Sequence, residues 1–353
     1  MPGVVPLRGS AARFEGGLRE MAPGVHAWLQ PNGSWGESHA GLVVGDRASL
    51  LVDTLWDVRL TARMLAAMAP VVREAPIATL VNTHSDGDHW WGNQLVAQAE
   101  IVATEAAAAV MAHQSPGEMR RFAAVGAALR LAGRVPIAYP RRDDLATVGA
   151  FVGEVLRPFA YGEVRLTRPT RTFRGELALD VGGREVRLVD VGPAHTAGDL
   201  FVHVPDARTV IAADVLFVDI TPVMWAGPVE RWLAALERLL DTGAETFVPG
   251  HGPVCGRAEI ERLADYWRWL DAAARRRLTA GASPAAVARE LVIGDEIAAQ
   301  GFSEWDNPER AVINVRTIDA HRRGVAKPPA ARDFVDAFAR MALLARDRAA
   351  VRR

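Results

Sequence analysis

Apolar positions between Val25 and Thr54 come in short runs separated by turn formers. VHAWLQ leads into the turn-rich PNGSWGES, and AGLVVG and SLLVDT then stand on either side of Gly45-Asp46-Arg47. Short β-branched and leucine-rich runs bounded in this way predict strands, the last two as a hairpin. At Asp57 the period changes. Val58, Leu60, Met64, Leu65 and Met68 recur at helical spacing and stop before Pro70, which predicts a helix over 57–68. ATLVNT then predicts a buried strand that delivers His84 at its C-terminal end, where layered α/β proteins commonly place their chemistry.

From Glu105 to Arg168 the pattern turns helical in AAAAVMAHQ and MRRFAAVGAALRLAG and irregular in VPIAYPRRDD. This predicts an insertion, a candidate lid over a site. Strand patterning returns at TRTFRGELALDVGGREVRLVDVGPAH, with Gly182-Gly183 as a hairpin turn, and continues through LFVHVPDARTVIAADVLF. Val229 to Leu240 predicts an amphipathic helix, and TFVPGHG a strand that ends in a loop. Beyond Gly256 the period is helical, with Ser283-Pro284 and Asn307-Pro308 as helix starts. The expected organisation is one α/β domain over 1–255 with a helical insertion at about 105–168. A helical C-terminal extension over 256–353 follows, and it is a candidate homodimer surface.

Composition narrows the partners. Half of the 353 residues are apolar and 24% are charged, as in an ordinary soluble domain with a sizeable core. A formal net charge of -1 provides no global field for nucleic acid or an anionic membrane. No apolar run approaches the ~20 residues of a membrane span, and MPGVVPLRGSAARFEGG lacks the apolar core of a secretory signal. The expected location is the cytoplasm and the expected partner a small-molecule substrate. Cys255 is the only cysteine, so an intrachain disulfide and a thiolate metal cage are both excluded.

The chemistry is carried by six polar residues at strand ends or in Gly/Pro-rich loops. His84, Asp88 and His89 lie in His84-Ser85-Asp86-Gly87-Asp88-His89; His195 follows Gly192-Pro193; Asp214 closes TVIAAD; His251 sits between glycines in PGHG. Imidazole and carboxylate donors suit zinc or iron, and loops at strand ends let several converge on one point. Any one such histidine alone is more often a satisfied surface or core residue. Six in these contexts are much harder to attribute to chance.

Their order resembles the metallo-β-lactamase-fold superfamily, from about Val25 to Gly256, with the helical tail outside the resemblance. The resemblance implies a four-layered αββα sandwich with a one- or two-metal centre at one edge of its two sheets. Carried over by position, one metal would use His84, residue 86 and His195, the other Asp88, His89 and His251, with Asp214 bridging. Position 86 departs from the family, which usually has histidine where this chain has Asp86. Three readings stay open. Asp86 ligates, in a carboxylate-rich site that suits iron or manganese as well as zinc. Alternatively the first site is weak and one metal at Asp88, His89 and His251 does the work, or the scaffold is non-catalytic. An added carboxylate makes bound water less acidic than the ~7 typical of zinc hydrolases.

The function expected from this is metal-dependent hydrolysis of a small organic ester, lactone, thioester or lactam. Asp88 is the expected catalytic residue, a ligand that also orients the nucleophile. Asp53, Thr83 and Asn82 are candidates for orienting the imidazoles. Trp35, Trp91 and Trp225 are candidates for an apolar substrate wall, although Trp90 or Trp91 can instead pack in the core. The competing readings are a phosphodiesterase, an iron-dependent redox enzyme and a binding protein that kept the scaffold. Flavodiiron-type relatives also carry an acidic residue at position 86, but no flavin-binding segment follows residue 256.

Overall fold

The computed structural model describes residues 7, 12–132, 142–325 and 331–352. The stretch Val135–Arg141 of the expected irregular segment lies outside the described residues, as does most of the N-terminal segment. The described residues form two compact units. One gathers those of 1–114, 163–220 and 226–265, the other those of 115–162, 221–225 and 266–353.

The first unit contains two sheets. Strands β1 (Gly17–Ala22), β2 (Val25–Leu29), β3 (Ala40–Val44), β4 (Ser49–Val52), β5 (Ile77–Val81), β6 (Glu100–Thr104) and β7 (Arg171–Phe173) pair in that order. Pairing is antiparallel from β1 to β4 and parallel from β4 to β7. Strands β8 (Glu176–Val181), β9 (Arg184–Asp190), β10 (Leu200–Val204), β11 (Thr209–Phe217) and β12 (Thr246–His251) form the second sheet, with only β11 and β12 parallel. The β8–β9 hairpin turns at Gly182 and Gly183, whose φ values of 56° and 81° suit a primed turn. Strands β1 and β6 are additions to the sequence-based expectation.

Alternation decides what lies between the sheets. Val25, Ala27, Leu29, Val43, Leu50, Val52, Val81 and Val102 of the first sheet meet Val186, Leu188, Leu200, Val202, Ile211 and Val248 of the second in one buried cluster. Helix α1 (Val58–Met68) covers the other face of the first sheet. Its N-cap Asp57 accepts from Leu60 N–H at 2.8 Å, and Met64 and Met68 pack on Leu42, Leu51, Leu80 and Ile101. Helix α2 (Glu105–Met111) follows β6 directly, capped by Thr104. Helix α5 (Val229–Asp241) lies against β11, where the buried Trp232 donates its indole N–H to Val215 O at 2.9 Å. The layers are α, β, β, α.

The second unit is helical. It contains α3 (Pro116–Ala132), α4 (Arg142–Leu156), the part of α6 (Arg257–Thr279) from Tyr266 onward, α7 (Pro284–Ile293), α8 (Glu296–Ala299), α9 (Ala311–Arg322) and α10 (Ala331–Val351). Helices α3 and α4 approach closely through glycine: a Cβ at Gly149 would lie 2.3 Å from Arg130 N. Helix α4 falls within the helical insertion expected at about 105–168; Gly149 and Gly153, which lower helix propensity, obscure its own apolar run. No helix among the described residues is long and apolar enough to cross a membrane.

Candidate metal centre

Three of the four histidines of the centre, His84, His89 and His251, are held by their Nδ1 nitrogens. His89 Nδ1 lies 2.8 Å from Asp53 Oδ2, and Thr83 Oγ1 donates to the same carboxylate oxygen at 2.6 Å. That hydroxyl has one proton to give, so His84 Nδ1, 3.0 Å from it, is the donor in their pair. His251 Nδ1–H donates to Gly33 O at 2.8 Å. In all three rings the Nδ1 proton is thus assigned, and Nε2 is left as a bare lone pair. Asp53 achieves its double grip with φ at 63°, a left-handed backbone that aspartate tolerates better than most residues. It closes β4, and Thr83 and His84 follow β5, so two neighbouring parallel strands deliver this network together.

The bare nitrogens face carboxylates. His84, His195 and Asp214 bring ligating atoms within 4.8 Å of one another, and so do Asp88, His89 and His251. Asp214 reaches both groups. Its Oδ2 is 3.4 Å from His195 Nε2, 3.9 Å from His84 Nε2 and 3.4 Å from His251 Nε2, while Oδ1 is 3.0 Å from His89 Nε2. Asp88 Oδ2 is 3.6 Å from His251 Nε2 and 3.9 Å from His89 Nε2. Asp86 is outside the compact first group, yet its Oδ2 is 3.2 Å from His195 Nε2.

A lone pair aimed at an ionised carboxylate is repulsive unless a proton or a cation lies between them. Among the described residues His84 Nε2, His89 Nε2 and Asp214 Oδ1 are buried without a hydrogen-bond partner. Ligands at about 2.0–2.2 Å from one tetrahedral ion stand roughly 3.3–3.6 Å apart, within the 3.0–3.9 Å range that separates these atoms. The residues therefore fit a metal.

The electrostatics state the same demand. Burial alone would depress His89, but Asp214, Asp88 and Asp53 outweigh it and raise its pKa well above the ordinary range. Burial likewise opposes, and Asp86 and Asp214 reverse, the shift of His195, which rises to about 9. For Asp214 the three imidazoles of His251, His89 and His84 overcome burial and hold the carboxylate well below its usual range. His84 goes the other way, lowered by burial and by His89. Burial raises Asp88 despite His89 and His251.

Local backbone explains how Asp214 faces inward from the middle of a strand. The run TVIAAD does not end at Asp214; β11 continues to Phe217. Ala213 has φ at 46°, and the β11–β12 register shifts on both sides of it. Such a bulge re-aims the next side chain. Opposite it, a Cβ at Gly250 would stand 1.8 Å from Asp214 Oδ1, so only glycine leaves room for the carboxylate. His195 is set by a tight turn in which buried Asp199 accepts from Ala194 N–H, Thr196 N–H and Thr196 Oγ1 at 3.0, 3.0 and 2.6 Å.

The sequence profile of the metallo-beta-lactamase superfamily matches residues 33–251, more than half of the chain. The chain belongs to the metallo-beta-lactamase superfamily. No curated protein matches it by sequence. Among solved structures, a metallo-beta-lactamase from Pontibacter korlensis is 16% identical with a TM-score of 0.51, covering 71% of this chain and 98% of its own. The stereoselective inverting sec-alkylsulfatase Pisa1 from Pseudomonas sp. is also 16% identical, with a TM-score of 0.61 over 87% of this chain. This chain spans half the length of that sulfatase. At these identities the likeness concerns the fold. Superfamily membership and the two ligand groups together support a metal-dependent hydrolase.

The superfamily frame leaves the tryptophans to be placed. Trp91, expected on the substrate wall, is only 4% exposed; its indole N–H donates to Gln114 Oε1, and a Cβ at Gly87 would meet its ring at 2.7 Å. It packs under the metal loop, which corrects that expectation. Trp90 is fully buried and donates to Ser85 O. Trp35 is half-buried in the β2–β3 loop. Trp225 is half-buried in the helical unit, where it stacks on Phe334 at 5.3 Å. Asn82 reaches His89 through its backbone, donating its amide to His89 O and to Asn93. Gly33, Ser38, His39 and Gln114 contact the centre's loops and carry no motif that would have singled them out.

Proposed function

We propose that this protein is a metal-dependent hydrolase, with zinc in one or two sites, acting on a small organic ester, lactone, thioester or lactam. The observation that carries the reading is the pair of buried nitrogens on His84 and His89 without a hydrogen-bond partner among the described residues, aimed with His251 Nε2 at Asp214 and Asp88. His84, His195 and Asp214 would hold one ion and Asp88, His89 and His251 the other, with Asp214 shared between them. When bound, such an ion supplies Lewis acidity, which acidifies water and polarises the substrate oxygen.

The chain's own residues supply the rest. The Asp88 side chain is 13% exposed, against 5% or less for Asp214 and the four histidines, so it is the member of the two groups that solvent and substrate reach. Its Oδ would accept a proton from the nucleophile and return it to the leaving group. Asp53 and Thr83 keep the imidazoles in the ligating tautomer. A chromogenic panel of esters, thioesters, lactams and phosphodiesters tests the reading. Wild-type protein should turn over a carboxylic-acid derivative, and Asp88→Ala should lose at least about 100-fold in kcat with its circular dichroism spectrum unchanged. Full activity in Asp88→Ala, or turnover of phosphodiesters only, contradicts it.

A second reading rests on Asp86. Its Oδ2 stands 3.2 Å from His195 Nε2 and its side chain is 33% exposed, placing a fourth oxygen-rich donor beside the first group. Oxygen donors favour iron or manganese over the softer alternatives. Tight iron in metal-replete protein would move the assignment to redox chemistry.

A further inference from the structure

The loop between β2 and β3 is buried in a way that turns rarely are. Gln30, Asn32, Glu37, Ser38 and His39 all lie under a tenth exposed. Gln30 Nε2 donates to Ser38 O at 2.6 Å and closes the loop on itself. Three of its residues, Gly33, Ser38 and His39, reach the segments that carry Asp88 and His251. Ser38 Oγ donates to Asp88 O at 2.6 Å. Gly33 O holds His251 Nδ1, and with φ at 58° it packs so closely that a Cβ would lie 2.4 Å from Gly252 N.

His39 makes the central contacts. Its backbone N–H donates to Gly250 O at 2.9 Å. Its Nδ1 accepts from Gln30 N–H at 3.1 Å, which leaves the ring proton on Nε2, 2.7 Å from Gly252 O. One residue thus grips the glycines on both sides of His251. Neither glycine has a side chain to fix its own backbone, so these carbonyl contacts join the Gly33 O bond in setting the ring's direction. Phe217 stacks on the His251 ring at 5.2 Å.

We propose that His39 is the positioning residue of the Asp88, His89 and His251 metal group. As a neutral imidazole bridging Gln30 N–H and Gly252 O, it fixes the backbone that carries His251. The role rests on the reading that this group binds metal. Two substitutions separate positioning from packing. His39→Gln sets a carboxamide nitrogen where Nε2 stood and keeps the bond to Gly252 O. His39→Asn sets its carboxamide near Nδ1, keeps the bond to Gln30 N–H and loses the one to Gly252.

Full-length protein stripped with chelator is titrated with Co(II) in competition with a chromophoric chelator, alongside thermal melts of the metal-free variants. His39→Asn should bind Co(II) at least about tenfold more weakly, and His39→Gln within about threefold of wild type, at similar melting temperatures for the two variants. Equal affinities for the two variants, or wild-type affinity in His39→Asn, overturn the inference while the metal reading stands. Wild-type protein that takes up no Co(II) overturns both.

Discussion

Replacing Gly250 with alanine perturbs the centre without changing any ligand. The new Cβ would stand 1.8 Å from Asp214 Oδ1 and 2.8 Å from the Asp214 backbone nitrogen, where real Cβ contacts essentially never fall under 3.0 Å. The carboxylate, or the bulged strand that carries it, has to retreat by more than about 1 Å, against a tolerance of roughly 0.2 Å in metal–ligand distances. Because Asp214 faces both ligand groups, the retreat weakens both at once. Overpacking of this size costs about 1–3 kcal/mol, so the fold survives with its melting temperature lowered by several degrees. Zinc affinity, measured by chelator competition, should fall at least about tenfold for every ion bound, and kcat/KM on the best substrate by about 100-fold. Gly250→Ala protein that binds zinc as tightly as wild type would refute the placement of Asp214 between the two groups.

Two further outcomes follow from the same geometry. Asp199→Ala strips the acceptor from Ala194 N–H, Thr196 N–H and Thr196 Oγ1 in a buried turn and should cost about 2–4 kcal/mol in urea unfolding of metal-free protein. A loss below about 1 kcal/mol contradicts the bracing role. In metal-free protein His195 is raised from 6.5 to about 9, so its pairing with Asp86 and Asp214 stabilises fully below pH 6.5 and is lost as pH rises through about 9. The melting temperature of chelated protein should decline across that window. Metal has to displace the same proton, so affinity should climb with pH up to about 9 and proton release should appear in calorimetry. A flat affinity profile contradicts this.

Much of the fold and of the candidate site was legible because each feature is local. Asp57 before a helical apolar run, Gly182-Gly183 between alternating runs and histidines in glycine-rich strand ends are read from a few adjacent residues. What escaped is long-range. His39 meets Gly252 across 213 positions and Gly33 meets His251 across 218, and no local pattern announces either contact. Asp214 was legible as a site residue but not as a mid-strand one, because the bulge at Ala213 is set by pairing with β12. Trp91 was misjudged for a related reason: proximity to the metal motif in sequence says nothing of which side of the loop the ring takes, and here the space beside Gly87 takes it.

His84, His89, His195, His251, Asp88 and Asp214 are expected to form a metal centre that performs hydrolysis. Elemental analysis of purified protein before chelation, after chelation and after zinc reconstitution, paired with the hydrolysis of its best chromogenic substrate, tests it directly. One or two ions per chain are expected, with activity lost when the metal is removed and restored with it. A chain that holds no ion after reconstitution, or that hydrolyses equally well without one, would contradict it.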